Sequence, residues 1–223
     1  MTTDAARLRL FQLVSPALPV GAFSYSEGLE VLVQRGALSD VAAVQAWLQA
    51  ELQRGAVAVE TAALRHLQRA LVAGDLEAST GWDGWLLAQR EAPELRAQQR
   101  QMGQSLLQLL ADLGWPLPPA LAAAGLAWPA AFAWAAHSLE LVSPAIEGAY
   151  LYGWVANQLS AAVRLVPLGP TQAQRLQLQL AEPIAERAEA LAGADPRHLW
   201  SGGVGAGLAQ LQHAELYSRL FRS

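Results

Sequence analysis

Serine hydroxyls that could act as nucleophiles stand in the stretch 24-SYSEG-28, near the start of the chain. Ser26 has a glycine two residues later, but position 24 is serine where the G-x-S-x-G nucleophile elbow has glycine, and no strand is predicted before it. We favour a structural role, in which Ser24 or Ser26 caps a helix that begins near Glu27. An enzyme that uses either serine is the alternative, and it predicts labelling by a serine-reactive fluorophosphonate.

Metal ligation is the second chemistry that the residues could support. The histidines are spread along the chain, and none has a second histidine or an acidic residue at the spacing that places two ligands on one helix face. They are His66, His137, His198 and His213. A thiolate ligand is excluded because the sequence contains no cysteine. The sequence therefore predicts no metal site and no cofactor.

Phosphate binding and acid–base chemistry have equally weak support. The glycine-rich run 203-GVGAG-207 lacks the preceding strand and the downstream acid of a dinucleotide fold, so we expect its small residues to let one helix approach another. The absence of lysine excludes a Walker A loop and Schiff-base chemistry. Glu182, Glu186 and Glu189 recur at helical spacing, which is typical of a solvated face. A binding protein is favoured over an enzyme.

Composition excludes two further classes. The 223 residues carry a formal net charge of -4, and their cationic residues are all arginines spread along the chain, so no nucleic-acid surface is predicted. Residues 114–139 contain no Asp, Glu, Arg or Lys, but prolines interrupt them, which favours buried helices over a membrane span. The N-terminal stretch lacks the long apolar run of a signal peptide, so a cytoplasmic protein is expected.

The elements that must position these residues are helical almost throughout. Apolar residues recur at three- and four-residue spacing, whereas the alternation typical of strands is nearly absent. Predicted helices begin near Val41, Val59, Pro93, Pro119, Pro129, Ser143-Pro144 and Thr171, the last with an interior kink at Pro183, and a final helical segment follows 202-GGVGAG-207. We predict an all-α, single-domain helical bundle of about nine to ten helices over residues 1–223. Flexibility is left open for residues 1–9 and 217–223.

The most distinctive stretch is 15-SPALPVGAFSYSEGLE-30, which we call the signature element. Pro16 and Pro19 restrict its backbone, while Gly21 and Gly28 allow tight turns. We expect a rigid, irregular element that leads into a helix. Its apolar side chains are expected to anchor it in the core, and these are Leu18, Val20 and Phe23.

The signature element closely resembles the segment near the start of UreF, a family of urease accessory proteins. Three further segments resemble UreF segments in the same order: 96-RAQQRQMGQSLLQL-109, 150-YLYGWVANQLSAAVRLVPLGPTQAQRLQ-177 and 217-YSRLFRS-223. The chain departs from the family pattern at Pro170 and in 211-LQHA-214.

The resemblance implies an all-α homodimer that takes part in nickel delivery to apo-urease. In that family UreF associates with UreD, called UreH in some organisms, and the pair recruits the GTP-binding metallochaperone UreG. The resemblance further implies that UreF regulates the GTPase step without hydrolysing GTP itself. A passive scaffold of the same complex is the alternative.

Two partner interfaces are predicted on this basis. In the signature element, Tyr25, Glu27 and Glu30 are expected to present a fixed polar surface, because an ordered surface loses less entropy on binding. The interface residues predicted there are Ser15, Pro16, Pro19, Gly21, Tyr25, Ser26, Glu27 and Glu30. Those predicted in the C-terminal tail are Tyr217, Arg219, Leu220, Phe221 and Arg222. The structural alternatives are a signature element that only seals the bundle and a tail that is an ordinary last helix.

Overall fold

The computed structural model describes residues 4–222, and over this range the fold is entirely helical, with no strand. Ten of its helices have seven or more residues, and the all-α prediction is confirmed. The helices are α1 (Asp4–Leu13), α2 (Leu29–Gln34), α3 (Val41–Arg54), α4 (Ala56–Val72), α5 (Leu76–Ala88), α6 (Pro93–Asp112), α7 (Pro119–Ala123), α8 (Trp128–Ser138), α9 (Ala145–Leu165), α10 (Pro170–Gln179), α11 (Ala181–Ala192) and α12 (Val204–Gln212). Short 3-10 turns occupy Ala22–Ser24, Pro196–His198 and His213–Glu215.

Helix α4 is the centre of the bundle. It packs against α3, α5, α8, α9 and α11, and all of its residues from 57 to 64 are buried. A helix buried on every side must be almost wholly apolar, yet Glu60 lies in the middle of this run. The carboxylate of Glu60 therefore needs partners inside the protein.

Small residues allow the central helices to approach closely. Helix α8 buries five alanines against its neighbours, namely Ala130, Ala131, Ala133, Ala135 and Ala136. Helix α6 meets the start of α8 at Gly103, where an added Cβ would lie 2.6 Å from the carbonyl oxygen of Leu126. Only glycine fits this crossing without a backbone shift.

Helix boundaries follow the local signals at several positions. The Asp40 carboxylate accepts the N–H of Ala43 and caps α3, and Pro93 begins α6. Residues 114–139 contain α7 and α8, and the expectation of buried helices is confirmed for α8 but not for α7, in which only Leu121 is buried. Over the described range, no helix has the length and apolarity needed to cross a membrane.

Two boundary predictions were wrong in detail. Helix α10 begins at Pro170, one residue before the predicted Thr171, because the Gln172 side chain accepts the N–H of Gly169. The helical run is interrupted at Leu180, three residues before Pro183, so that the proline lies in the first turn of α11. A proline is tolerated there because a first-turn N–H has no partner within the helix.

Candidate functional site

The signature element is more deeply buried than the sequence suggested. Gly21 and Gly28 have φ angles of 73° and 88°, as expected for tight turns. The expectation that Tyr25, Glu27 and Glu30 form an exposed surface was wrong, because all three are buried. Phe23, expected in the core, is 69% exposed. The prediction is thus reversed for these residues: the phenyl ring lies at the surface, and the polar groups lie in the interior.

The other predicted residues of this element are divided between surface and interior. Pro16 and Pro19 are exposed, and Ser15 is partly buried, with its hydroxyl accepting the N–H of Ala17. Ser26 is fully buried, and its Oγ accepts the N–H of Glu30 at 3.5 Å. A serine in this position is closed to an external substrate, so the structure gives no support to Ser26 as a nucleophile, while Ser24 is partly buried.

Glu27 belongs to a buried cluster that joins four parts of the chain. Arg90 donates from Nε to Glu60 Oε1 at 2.9 Å, and its Nη1 lies 3.9 Å from Glu27 Oε2. Tyr150 donates to Glu60 Oε2 at 2.8 Å, and Trp154 donates to Glu27 Oε2 at 3.1 Å. We call these five residues the Arg90 cluster. Gln98 also donates to Glu27 Oε1 at 3.0 Å, so each buried carboxylate accepts at least two hydrogen bonds, which offsets the cost of removing it from water.

Burial and charge shift the pKa values of Glu60 and Arg90 in opposite directions, whereas they act together on the pKa of Tyr150. Burial raises the pKa of Glu60, and the Arg90 guanidinium lowers it in part. Burial also raises the pKa of the Tyr150 hydroxyl, and the neighbouring Glu60 adds to that rise. For Arg90, burial lowers the pKa, but Glu60 and Glu27 outweigh burial and leave the pKa above its usual range. Arg90 therefore remains positively charged and forms ion pairs with the carboxylates of Glu60 and Glu27.

A third acid, Glu51, lies beside this cluster. It lines a small cavity of about 20 Å³ together with Glu27 and Arg90, which is room for roughly one water molecule. Burial raises the pKa of Glu51 from 4.5 to about 7, and Arg90 opposes that rise. Glu51 therefore changes its ionisation near neutral pH.

We expect this ionisation to make the protein less stable as the pH rises. Because the pKa of Glu51 is raised in the folded state, its contribution is complete below pH 4.5 and is lost as the pH rises through about 7. The loss above that range should be on the order of 3 kcal/mol. Chemical denaturation of Glu51→Gln between pH 5 and 8 should give a flatter profile than wild type. An equally steep profile in Glu51→Gln would contradict the assignment, and Glu186→Gln on an exposed face is the control.

Glu30 forms a second connection, which we call the tail clasp. Its carboxylate accepts the N–H of Leu220 at 2.6 Å and the N–H of Phe221 at 3.1 Å. Its Oε2 also lies 3.1 Å from Nε2 of His213, which is buried. The predicted signature residue Glu30 and the predicted tail residues Leu220 and Phe221 are thus brought together.

The described part of the C-terminal tail, residues 217–222, is fixed to the signature element at further points. The N–H of Arg222 donates to the carbonyl of Ser24 at 2.9 Å. The ring of Phe221 is buried, and the Arg164 guanidinium carbon lies 4.4 Å from its centroid. Tyr217, by contrast, is fully exposed. The tail therefore has an anchored backbone and an outward-facing apolar side.

The glycine-rich run lies where α12 packs on α2, and the small residues that allow the close approach there are Gly28 and Ala206 rather than the glycines of the run. Gly28 lies under α12, where an added Cβ would be 3.3 Å from the carbonyl oxygen of Ala206, and at Gly207 it would be 3.0 Å from the Glu91 carboxyl carbon. The predicted solvated face is confirmed, since Glu182, Glu186 and Glu189 are exposed. Within residues 4–222, no three His, Asp or Glu side chains form a group that could hold a metal ion.

Arg90, Glu60, Tyr150, Trp154 and His213 were not predicted as site residues. A signal existed for Glu60, which is a lone acid inside the apolar run 56-AVAVETAAL-64. The acidic residue nearest to His213 in the sequence is Glu215, whereas its partner in the structure, Glu30, lies 183 residues away. Nothing in the local sequence distinguishes Arg90 from an exposed arginine.

These features define an all-helical protein whose signature element and C-terminal tail are joined by the buried carboxylate of Glu30. Comparison with known proteins gives the family. The UreF family model matches residues 38–181. The urease accessory protein UreF of Thermosynechococcus vestitus is 44% identical over 227 aligned residues that cover 100% of both chains. That of Alkalilimnicola ehrlichii is 42% identical, covering 98% of this chain and 96% of the relative.

The chain belongs to the UreF family of urease accessory proteins. The UreF protein of Nostoc sp. adds a further relative, 40% identical over 99% of this chain and 97% of its own. These relatives are named for an accessory role and not for a catalysed reaction, which agrees with the prediction that this chain is not an enzyme.

Proposed function

We propose that this protein acts as a cytoplasmic homodimer that binds UreD, or UreH, and recruits and regulates the GTPase UreG while nickel is inserted into the urease apoprotein. Membership of the UreF family supports the general role. The partners and the regulatory step are those that the family resemblance implies. The protein's contribution is a binding surface and not a reaction.

The observation that carries this proposal is the anchored tail with its exposed apolar side. Several large apolar side chains after residue 199 are at least 44% exposed: Trp200, Val204, Leu208, Leu211, Tyr217 and Leu220. We call this set the terminal apolar surface. Val204, Leu208 and Leu211 follow at helical spacing and share one face of α12. Exposed apolar groups concentrated in one segment are typical of a protein-binding surface.

Anchoring makes this surface suitable for binding. The tail clasp holds the backbone at Leu220 and Phe221, so the exposed side chains beside it are displayed on an ordered chain. An ordered surface loses less conformational entropy on association than a flexible one. The exposed Arg219 and Arg222 flank the apolar side chains and suit a partner with acidic groups around an apolar centre.

Substitution of the exposed tail side chains is expected to weaken binding to UreD or UreH without unfolding the protein. Tyr217→Ala with Leu220→Ala removes two exposed apolar groups and leaves the backbone bonds to Glu30 in place. Loss of one binding hot spot should raise the dissociation constant about tenfold or more. Val142→Ala is the matched control, because Val142 is 58% exposed but lies elsewhere. Equal affinity of the double variant and wild type, measured by titration calorimetry, would contradict this assignment.

Regulation and passive scaffolding make different predictions for GTP turnover. The protein is mixed with UreD or UreH and with UreG, magnesium and GTP, and complex size and phosphate release are followed together. A regulator changes the nickel-dependent turnover of UreG, whereas a scaffold assembles the complex and leaves turnover unchanged. Failure to assemble would contradict both roles.

A further inference from the structure

A large cleft lies along the signature element. It has a volume of about 630 Å³ and is bordered by residues 15–23 and by α1, α6, α8, α9 and α10. Its wall is rich in aromatic side chains, among them Trp128, Phe132, Tyr150 and Trp154. Clefts that bind small ligands or short chain segments have volumes of about 300–1,000 Å³ and mostly apolar walls. The size and lining of this cleft fit such an occupant.

Two buried amides that border the cleft each have one atom without a hydrogen-bond partner. Gln99 on α6 and Gln177 on α10 are 4% and 8% exposed, and both belong to its lining. Gln99 Oε1 and Gln177 Nε2 have no partner among the described residues. The terminal χ3 torsion of glutamine is soft, so either amide can adjust to present its oxygen or its nitrogen to an occupant. An unpaired buried amide costs free energy, and an occupant with matching polar groups would recover it.

The charges at the base of the cleft are already satisfied. Glu27 and Glu60 belong to the lining, but their carboxylates receive the donors of the Arg90 cluster. Arg164, at the rim, stacks on Phe221. An occupant therefore needs neutral polar groups and apolar side chains rather than a charge.

We propose that this cleft binds a short, uncharged, apolar peptide segment of another protein. A peptide backbone offers an N–H donor and a C=O acceptor at every residue, which are the groups that Gln99 and Gln177 lack. Apolar side chains on the segment pack against the aromatic wall. This peptide site is separate from the proposed binding of UreD or UreH and from the proposed regulation of UreG. It can therefore be tested on the protein alone.

Two matched probes test the proposal on the full-length protein. The first is N-acetyl-Leu-Phe-amide, and the second is its depsipeptide, in which an ester replaces the Leu–Phe amide and removes one N–H donor. Ligand-observed NMR measures both affinities. The peptide is expected to bind about fivefold more tightly than the depsipeptide, the effect of one hydrogen bond of roughly 1 kcal/mol. Absence of binding, or equal binding of the two probes, would overturn the proposal.

Substitutions of the amides separate a binding role from a structural one. Gln99→Met and Gln177→Met keep the side-chain length and remove an unpaired polar group. Each should unfold at the same or a higher temperature than wild type. Both should bind the peptide less tightly, and at least one should lose the preference for peptide over depsipeptide. The control is Gln158→Met, since Gln158 is buried, has both amide atoms unpaired and lies outside the cleft lining. Unchanged probe binding in both cleft variants would overturn the assignment.

A second copy of this chain is the competing occupant. Light scattering with and without the peptide probe distinguishes the two cases. If saturating peptide lowers the molar mass from dimer to monomer, the cleft is a dimer contact and the proposal fails. An unchanged mass together with amide-dependent probe binding supports it. The proposed accessory function is tested separately, through binding to UreD or UreH, so its failure would not be confused with this one.

Discussion

Replacing Arg90 with methionine is expected to lower the free energy of unfolding by about 3–5 kcal/mol, because breaking a buried ion pair leaves uncompensated buried charge. Arg90 is 4% exposed and serves both Glu60 and Glu27. For a chain of this length the melting temperature should fall by roughly 10 °C. Urea denaturation at pH 7 measures the loss. Arg35→Met is the control, since Arg35 is exposed at the end of α2.

The pH dependence identifies the cause of this loss. Burial already raises the pKa of Glu60 above 4.5, and Arg90 is the largest opposing influence. Removing Arg90 raises that pKa further, so protonated Glu60 is favoured in the folded state. The deficit of Arg90→Met should therefore be smallest below pH 4.5 and should grow as the pH rises. A deficit that does not change with pH would assign the loss to packing and not to the unpaired acids.

A compensating change provides an independent check of the same cluster. Adding Glu60→Gln to Arg90→Met removes one of the two buried charges that Arg90 balances. The double variant should recover part of the lost stability, since the two sites are in contact and their effects are not additive. Glu60→Gln alone should destabilise the protein, because it leaves Arg90 with one acid fewer. Additive losses would show that the two side chains act independently.

Features that depend on neighbouring residues were predictable from the sequence. Asp40 caps α3 and Pro93 begins α6 because capping and first-turn proline are determined within a few residues. The close packing at the glycine-rich run follows from side-chain size. The family resemblance likewise depends on contiguous motifs.

The location of the signature carboxylates was not predictable in the same way. A glutamate near a turn is normally exposed, and the burial of Glu27 depends on Arg90 and Trp154, the latter 127 residues away. Phe23 is exposed because the signature element borders an open cleft there. The burial of these carboxylates is explained only by the donors that pair with them. Those donors are distant in the sequence, and a single sequence does not show which residues come into contact.

Replacing Glu30 with alanine is expected to release the C-terminal tail. The change leaves the N–H groups of Leu220 and Phe221 and the buried ring of His213 without their shared acceptor. Loss of such a buried acceptor should cost about 2–4 kcal/mol. Amide exchange at positions 220 and 221 should accelerate by about two orders of magnitude or more, which NMR measures directly.

Tail release should also weaken partner binding if the anchored tail presents the terminal apolar surface. Glu30→Ala should lose at least as much affinity for UreD or UreH as Tyr217→Ala with Leu220→Ala, although Glu30 itself is 2% exposed. Glu30→Gln keeps one carbonyl acceptor and should be intermediate in amide exchange and in affinity. Glu186→Ala, on the exposed face of α11, should change neither. Fast amide exchange with full affinity would show that the partner binds the tail without needing the clasp, because preorganisation would then contribute nothing to the complex.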